Sequence, residues 1–190
     1  MLDSISVFAP FWLCFKKPGT TDSNSSRSPP APQSRVQSKI CQFCDVHSLK
    51  RESFDIVWED DDYVAFRDHN PSAVHHIQVI PKVHIDSVKS LTRADVNVVD
   101  RLQSISHNIL DGLGIPISDR RIGFHIPPFN TVNHLHLHVQ ALPYKSFARR
   151  MKYPIAAGIG PYTKGLSWFV EARQALRILD QGGQIRISPC

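Results

Sequence analysis

The chain has 190 residues, 42% of them hydrophobic, and a net charge of +5 from 22 Lys and Arg against 17 Asp and Glu. That is enough for one domain with a real core; the mild basic excess does not demand nucleic acid as a partner, though it suits anionic ligands such as phosphates. Two of the four cysteines form a C-x-x-C pair (Cys41, Cys44) and two lie near the ends (Cys14, Cys190), which is not the disulfide framework of a small secreted domain, so a reducing setting in the cytoplasm or nucleus is expected.

The longest apolar stretch, residues 7–15, is too short to span a bilayer and contains Pro10. Asp3 stands where a signal peptide carries positive charge, and Lys16 and Lys17 follow the apolar run, so no transmembrane segment or signal peptide is expected. Beside Cys14 the run could anchor loosely after acylation, but an untethered terminus is the simpler reading. Residues 18–39 are Ser, Pro, Thr, Gln and Asn with almost nothing apolar to bury. Residues 1–39 are therefore expected to be a disordered tail and linker, and residues 40–187 the folded domain.

Within the domain, residues 56–58 and 63–66 read as short strands separated by the acidic turn 59–62, and residues 76–80 as a third strand stopped by Pro81. Thr92 and Asp95 have capping-box spacing; Val96, Val99, Leu102, Ile105 and Ile109 then mark one helical face, ended by Gly112 and Gly114. Residues 121–126 are a fourth strand and the histidine row 134–139 a fifth. Residues 168–170 are a further short strand candidate. Residues 171–179 read as a helix stopped by Gly182 and Gly183. Strands joined by hairpins and interrupted by one long helix predict an α+β domain on an antiparallel sheet.

His134, His136 and His138 alternate with Leu135, Leu137 and Val139, the period of a strand that points three imidazoles at one face and an apolar row into a core. A solvated face normally draws Thr, Lys or Glu, so three histidines point to chemistry. Neutral imidazole is a nucleophile and a metal ligand, and imidazolium an acid and an anion binder. Neighbouring imidazoles resist joint protonation, so their pKa values are expected to split into one base and one acid. A ring N–H bonded to a backbone carbonyl would orient the attacking ring toward a phosphate. The C-x-x-C pair by itself is an incomplete zinc site, a redox pair or two buried thiols. Residues 144–153 interleave Tyr144, Phe147 and Tyr153 with Lys145, Arg149, Arg150 and Lys152. Such a segment can stack on bases and hold phosphates; the duller reading is a solvated loop or helix with its apolar residues on the sheet.

The row His134-x-His136-x-His138-Val139-Gln140 resembles the histidine triad motif, with Gln140 at a position that is usually apolar. Phe66-x-Asp68, His76 and Ile80-Pro81-Lys82-x-His84 match further landmarks in order and spacing, so the resemblance covers residues 41–141. Residues 121–125 (Arg-Ile-Gly-Phe-His), followed by Pro127-Pro128-Phe129, are most similar to the branch that contains histidine triad nucleotide-binding protein 3 and aprataxin. The resemblance implies a HIT-like fold: an antiparallel five-stranded sheet, one long helix and a C-terminal helix.

It also implies a nucleotide hydrolase that cleaves purine nucleoside 5'-phosphoramidates (AMP–amine) through a nucleotidyl-histidine intermediate, and a homodimer formed through the long helix. By similarity His136 is the nucleophile, His138 contacts the α-phosphate, and His76 is a further active-site histidine. Asp68 binds the ribose hydroxyls, Phe66 walls the base, Thr131 helps the leaving group, and His125 lies near a nucleotide-contacting position. Some relatives complete a structural zinc site from the cysteine pair, which here would be Cys41, Cys44, His84 and His134, with no catalytic metal expected. Rival readings are removal of AMP from adenylated nucleic-acid ends, a nucleotide-binding interaction protein with incidental turnover, and a catalytic metal held by His134, His136 and His138 together. The nucleic-acid enzymes usually carry a later zinc finger, which this chain cannot build, because no histidine follows His138 and only Cys190 follows Cys44.

Overall fold

Period-two runs become strands and the 3.6-period run becomes the long helix. In the computed structural model residues 41–47 and 51–190 are described, and the tail expected over 1–39 lies outside them. The strands are β1 (Ile56–Glu59), β2 (Tyr63–Arg67), β3 (Ala73–Pro81), β4 (Arg120–His125), β5 (Leu137–Tyr144) and β6 (Phe169–Glu171). The helices are α1 (Val96–Gly112), the one-turn α2 (Phe147–Arg150) and α3 (Ala172–Asp180). The strands form one antiparallel sheet in the order β1-β2-β3-β5-β4-β6.

The expected five-stranded sheet therefore has a sixth strand, β6, paired to β4 through Gly123↔Glu171, Phe124↔Val170 and His125↔Phe169. Three residues are too few to show a period, and Phe169 and Val170 are both buried, so no polar alternation marks them. Gly123 is needed beside this strand: a Cβ there would lie 2.4 Å from Val170 O and 2.6 Å from the Phe169 ring.

Alternation divides the sheet into two chemistries. Ala65, Ile77, Val79, Ile122, Phe124, Leu137, Val139 and Val170 pack with α1 and α3 into the main core. Thr92 starts that helical layer as expected, its N–H and Oγ1 both donating to Asp95 Oδ2 at 2.9 Å. On the opposite face the register aligns Phe66, Gln78, His138 and Gly123 across four strands, with His76 beside Gln140. A second apolar cluster of Phe43, Val46, Val64, Phe66 and Ile80 closes one end of that face.

The histidine row is only partly strand. β5 begins at Leu137, paired with Val79, so His134 and His136 precede the ladder. Opposite them β3 ends at Pro81, which has no N–H to give. The row finds other partners: Leu135 N–H donates to Ile85 O at 2.6 Å, and His134 Nε2 meets Pro81 O at 2.8 Å. Moreover, residues 134–141 are all buried, so the row is not a half-solvated strand.

Candidate active site

His136 has its Nδ1 2.6 Å from the carbonyl of His134. A carbonyl only accepts, so the proton sits on Nδ1 and the Nε2 lone pair is left free. The ring is 7% exposed and packs edge-on against Phe43 at 5.5 Å and His138 at 5.0 Å. Phe43 thus brings the start of the domain over this imidazole.

Three further histidines form a hydrogen-bonded chain whose ends set its polarity. At one end His125 Nε2 lies 2.9 Å from Lys152 O, so it carries the proton and His125 Nδ1 accepts. His138 Nε2 then donates to His125 Nδ1 at 3.0 Å, and His76 Nε2 donates to His138 Nδ1 at 2.9 Å. At the other end Ser72 N–H donates to His76 Nδ1 at 3.1 Å. Read from either backbone anchor, the tautomers agree: each ring is neutral with its proton on Nε2. Burial pushes all of them the same way. His76 is held down at about 4 by burial, against the opposing pull of Asp68, and His138 lies well below its ordinary value through burial and the other imidazoles. His125 and His136 are also lowered by burial. Desolvation comes first and, at His76, His125 and His138, repulsion between the imidazoles adds to it in the same direction, so all four values move down together instead of one of them rising to make an acid.

Asp68 Oδ1 accepts from Asn70 N at 2.8 Å, and its Oδ2 accepts from Gln78 Nε2 at 2.7 Å. A carboxylate only accepts, so the Gln78 amide must turn its nitrogen to it, leaving a buried Oε1 without a hydrogen-bond partner. A cleft of about 530 Å³ opens here, in the range of small-molecule sites. Asp68, Asn70 and Gln78 line it together with His125, His138, Thr131, Phe129, Lys152, Tyr153 and Trp168. Thr131 is placed on its wall. Phe66 is not: it lies in the neighbouring apolar cluster, with ring centres 5.3 Å from Phe43 and 4.9 Å from Phe54. His76 and His136 are buried against His138 rather than lining the cleft themselves.

Sequence reasoning missed Gln78, Tyr153, Phe129 and Trp168 as site residues. Phe129 and Trp168 stack with ring centres 5.3 Å apart, and Trp168 Nε1–H donates to the same Lys152 carbonyl that anchors His125. Tyr153 packs on His76, His125 and His138, and burial pushes its hydroxyl up to about 12. The Phe129–Trp168 and Tyr153–histidine contacts are distant in sequence and carry no local pattern.

The C-x-x-C pair meets two histidines. The side-chain ligand atoms of Cys41, Cys44, His84 and His134 lie within 4.8 Å of one another. Cys41 Sγ is 3.4 Å and Cys44 Sγ 3.6 Å from His134 Nδ1, and Cys44 Sγ is 3.3 Å from His84 Nδ1. A tetrahedral zinc with ordinary Zn–S and Zn–N bonds gives S···N edges of about 3.5 Å. The outward nitrogens are bonded as metal-binding histidines require: His84 Nε2 to Asp86 Oδ1 at 3.0 Å and His134 Nε2 to Pro81 O. With thiols rather than thiolates present, burial and Cys41 push Cys44 up to about 12, a penalty that a bound dication reverses. The donor set fits zinc. His134, His136 and His138 turn their nitrogens to three different sets of partners and do not converge on one centre.

A family model described as scavenger mRNA decapping enzyme C-term binding matches residues 40–153. The chain is 36% identical over 145 residues, 76% of its length and 84% of the relative's, to adenosine 5'-monophosphoramidase HINT3 of Danio rerio. It is 37% identical over 140 residues, 73% and 90% of the two chains, to the bifunctional adenosine 5'-phosphosulfate phosphorylase/adenylylsulfatase HINT4 of Arabidopsis thaliana. Among solved structures, a HIT family hydrolase from Clostridium thermocellum is 29% identical, with a TM-score of 0.50 over 57% of this chain and 95% of that one.

Proposed function

Because the chain belongs to the histidine triad family, we propose that it hydrolyses adenosine 5'-phosphoramidates to AMP and an amine through a nucleotidyl-His136 intermediate. The observation that carries this reading is the bond from His136 Nδ1 to His134 O. It leaves Nε2 as a free nucleophile and stabilises the positive ring that forms on attack. Nε2 bonds to phosphorus, the P–N bond of the substrate breaks, and the amine leaves with a proton. Water then attacks phosphorus, the bond to His136 breaks, and AMP is released.

His138 donates its Nε2–H to a non-bridging oxygen, giving up its bond to His125 as it does so. The His76 bond to Nδ1 keeps that proton on the correct nitrogen. Asp68 takes the ribose hydroxyls, His125 and Thr131 contact the nucleotide, and Phe66 backs the base from its apolar cluster. Cys41, Cys44, His84 and His134 hold a structural zinc, which supplies rigidity and no step of the reaction.

The homodimer is expected to form through α1, with light scattering at twice 21.5 kDa as its check; a mass of one chain would contradict it. No helix among the described residues is long and apolar enough to cross a membrane, and the cysteine usage supports a cytoplasmic or nuclear setting. AMP release from an adenosine phosphoramidate, compared with release from nicked adenylated DNA, tests the function. Turnover of the small substrate that is lost in His136→Ala is the expected result. Turnover mainly of DNA would transfer the chain to the nucleic-acid reading, and tight AMP binding without turnover to the interaction-protein reading.

A further inference from the structure

Residues 144–153 mix cations with aromatics, and the sequence leaves their use open. In the structure the segment turns several polar groups inward, onto the loop that follows β2 and carries Asp68. Arg149 donates from Nη1 to Asn70 O at 3.1 Å and from Nη2 to Asn70 Oδ1 at 2.6 Å. Lys145 N–H donates to Ser72 O at 2.9 Å, and the Tyr153 hydroxyl lies 3.2 Å from Ser72 Oγ. Arg149 is the one half-buried cation of the segment; Lys145, Arg150 and Lys152 are exposed, as are Phe147 and Met151.

Asn70 is thereby held at three points. Its carbonyl and its side-chain oxygen sit in one guanidinium fork, and its N–H points at Asp68 Oδ1. Asp68, in turn, has Oδ2 held by Gln78. The loop is anchored at both ends, by Asp68 N–H on His76 O and by Ser72 on His76, Lys145 and Tyr153; between them His69 and Asn70 are exposed, and it is this tip, with few buried contacts, that Arg149 orders. A planar fork on two oxygens of one residue fixes orientation in a way a single ammonium does not.

Resting on the reading of Asp68 as the ribose ligand, we propose that Arg149 is a positioning residue for sugar recognition. It grips Asn70, and through the Asn70 N–H it holds the Asp68 carboxylate in the orientation that meets the 2'- and 3'-hydroxyls. Arg149 touches neither the sugar nor the phosphate. Within the basic segment after β5, Arg149 is on this view an internal brace for nucleoside selection.

The test compares AMP phosphoramidate with its 2',3'-dideoxy analogue on the full chain. The wild type is expected to favour the ribose substrate by at least about tenfold, since a site built to bond hydroxyls rejects an analogue that lacks them. Arg149→Ala should raise KM for the ribose substrate about tenfold, the scale of a small misplacement, with kcat changed far less. The dideoxy substrate, which makes no use of Asp68, should lose less than about twofold. Arg149→Lys should not restore the preference. Asn70→Ala should show the same loss, and the double variant no more, as expected for residues acting through one contact.

Equal losses on both substrates would overturn the proposal, because they would place Arg149 at the shared phosphate or in the fold. An unchanged preference would overturn it too. Calorimetric binding of AMP and 2',3'-dideoxy-AMP to wild type and Arg149→Ala asks the same question without turnover. If no substrate is cleaved yet the ribose preference in binding is lost in the variant, the proposed hydrolysis fails while the brace stands.

Discussion

A single proton on His136 decides what that residue can do. Its Nδ1–H is committed to His134 O, so the lone pair lies on Nε2. Burial disfavours the charged form of this ring and of the three imidazoles beside it, and the effect on stability has a definite sign. His76 is held at about 4 in the folded protein, against an ordinary value of 6.5. Between those values the unfolded chain binds a proton that the folded chain refuses. The stabilisation is thus complete above pH 6.5 and is lost as pH falls toward 4, by up to about 3 kcal/mol for this one residue. Urea unfolding at pH 7 and pH 5 checks this. The stability of the wild type should fall more steeply than that of His76→Gln, and parallel slopes would mean that His76 titrates normally.

Elements position these residues by rules that were largely readable in advance. Alternation placed β2 and β3, and the spacing of Val96, Val99, Leu102 and Ile105 placed α1. What escaped was short or non-local. Residues 168–170 read as a strand candidate, but three residues have no room for a period, so the pairing of β6 onto β4 as a sixth strand was not legible. The first two histidines leave the strand because Pro81 offers no N–H opposite them, a consequence of pairing and not of the row itself. Of the candidate site, the histidines, Asp68 and the cysteine pair were legible as motifs. Arg149 and Tyr153 were not, because their partners Asn70 and Ser72 lie 79 and 81 residues away. The cysteine pair also acts at this scale, joining the start of the domain and the end of β3 to the segment that carries His136. If these four residues hold zinc as proposed, a strong chelator, or Cys41→Ala, should lower the melting temperature by several degrees, as loss of a few kcal/mol does in a domain of this size. A melting curve indifferent to both, with no zinc found by elemental analysis, would contradict the metal assignment.

Across the whole molecule the two faces of one sheet divide the labour. The face toward α1 and α3 is apolar and carries the stability. The opposite face buries His76, Gln78, His136, His138 and Gln140, a cost in desolvation that the proposed function gives a reason for. On the proposed function, that face forms and breaks a bond at His136. The most direct measurement is to mix the protein with an adenosine phosphoramidate, quench within a turnover, and weigh and digest the intact chain. An adduct of one adenylyl group on a peptide containing His136, absent from His136→Ala and lost as AMP appears, is the predicted result. AMP production at full rate with no adduct, or in the His136→Ala variant, would contradict the nucleotidyl-histidine mechanism.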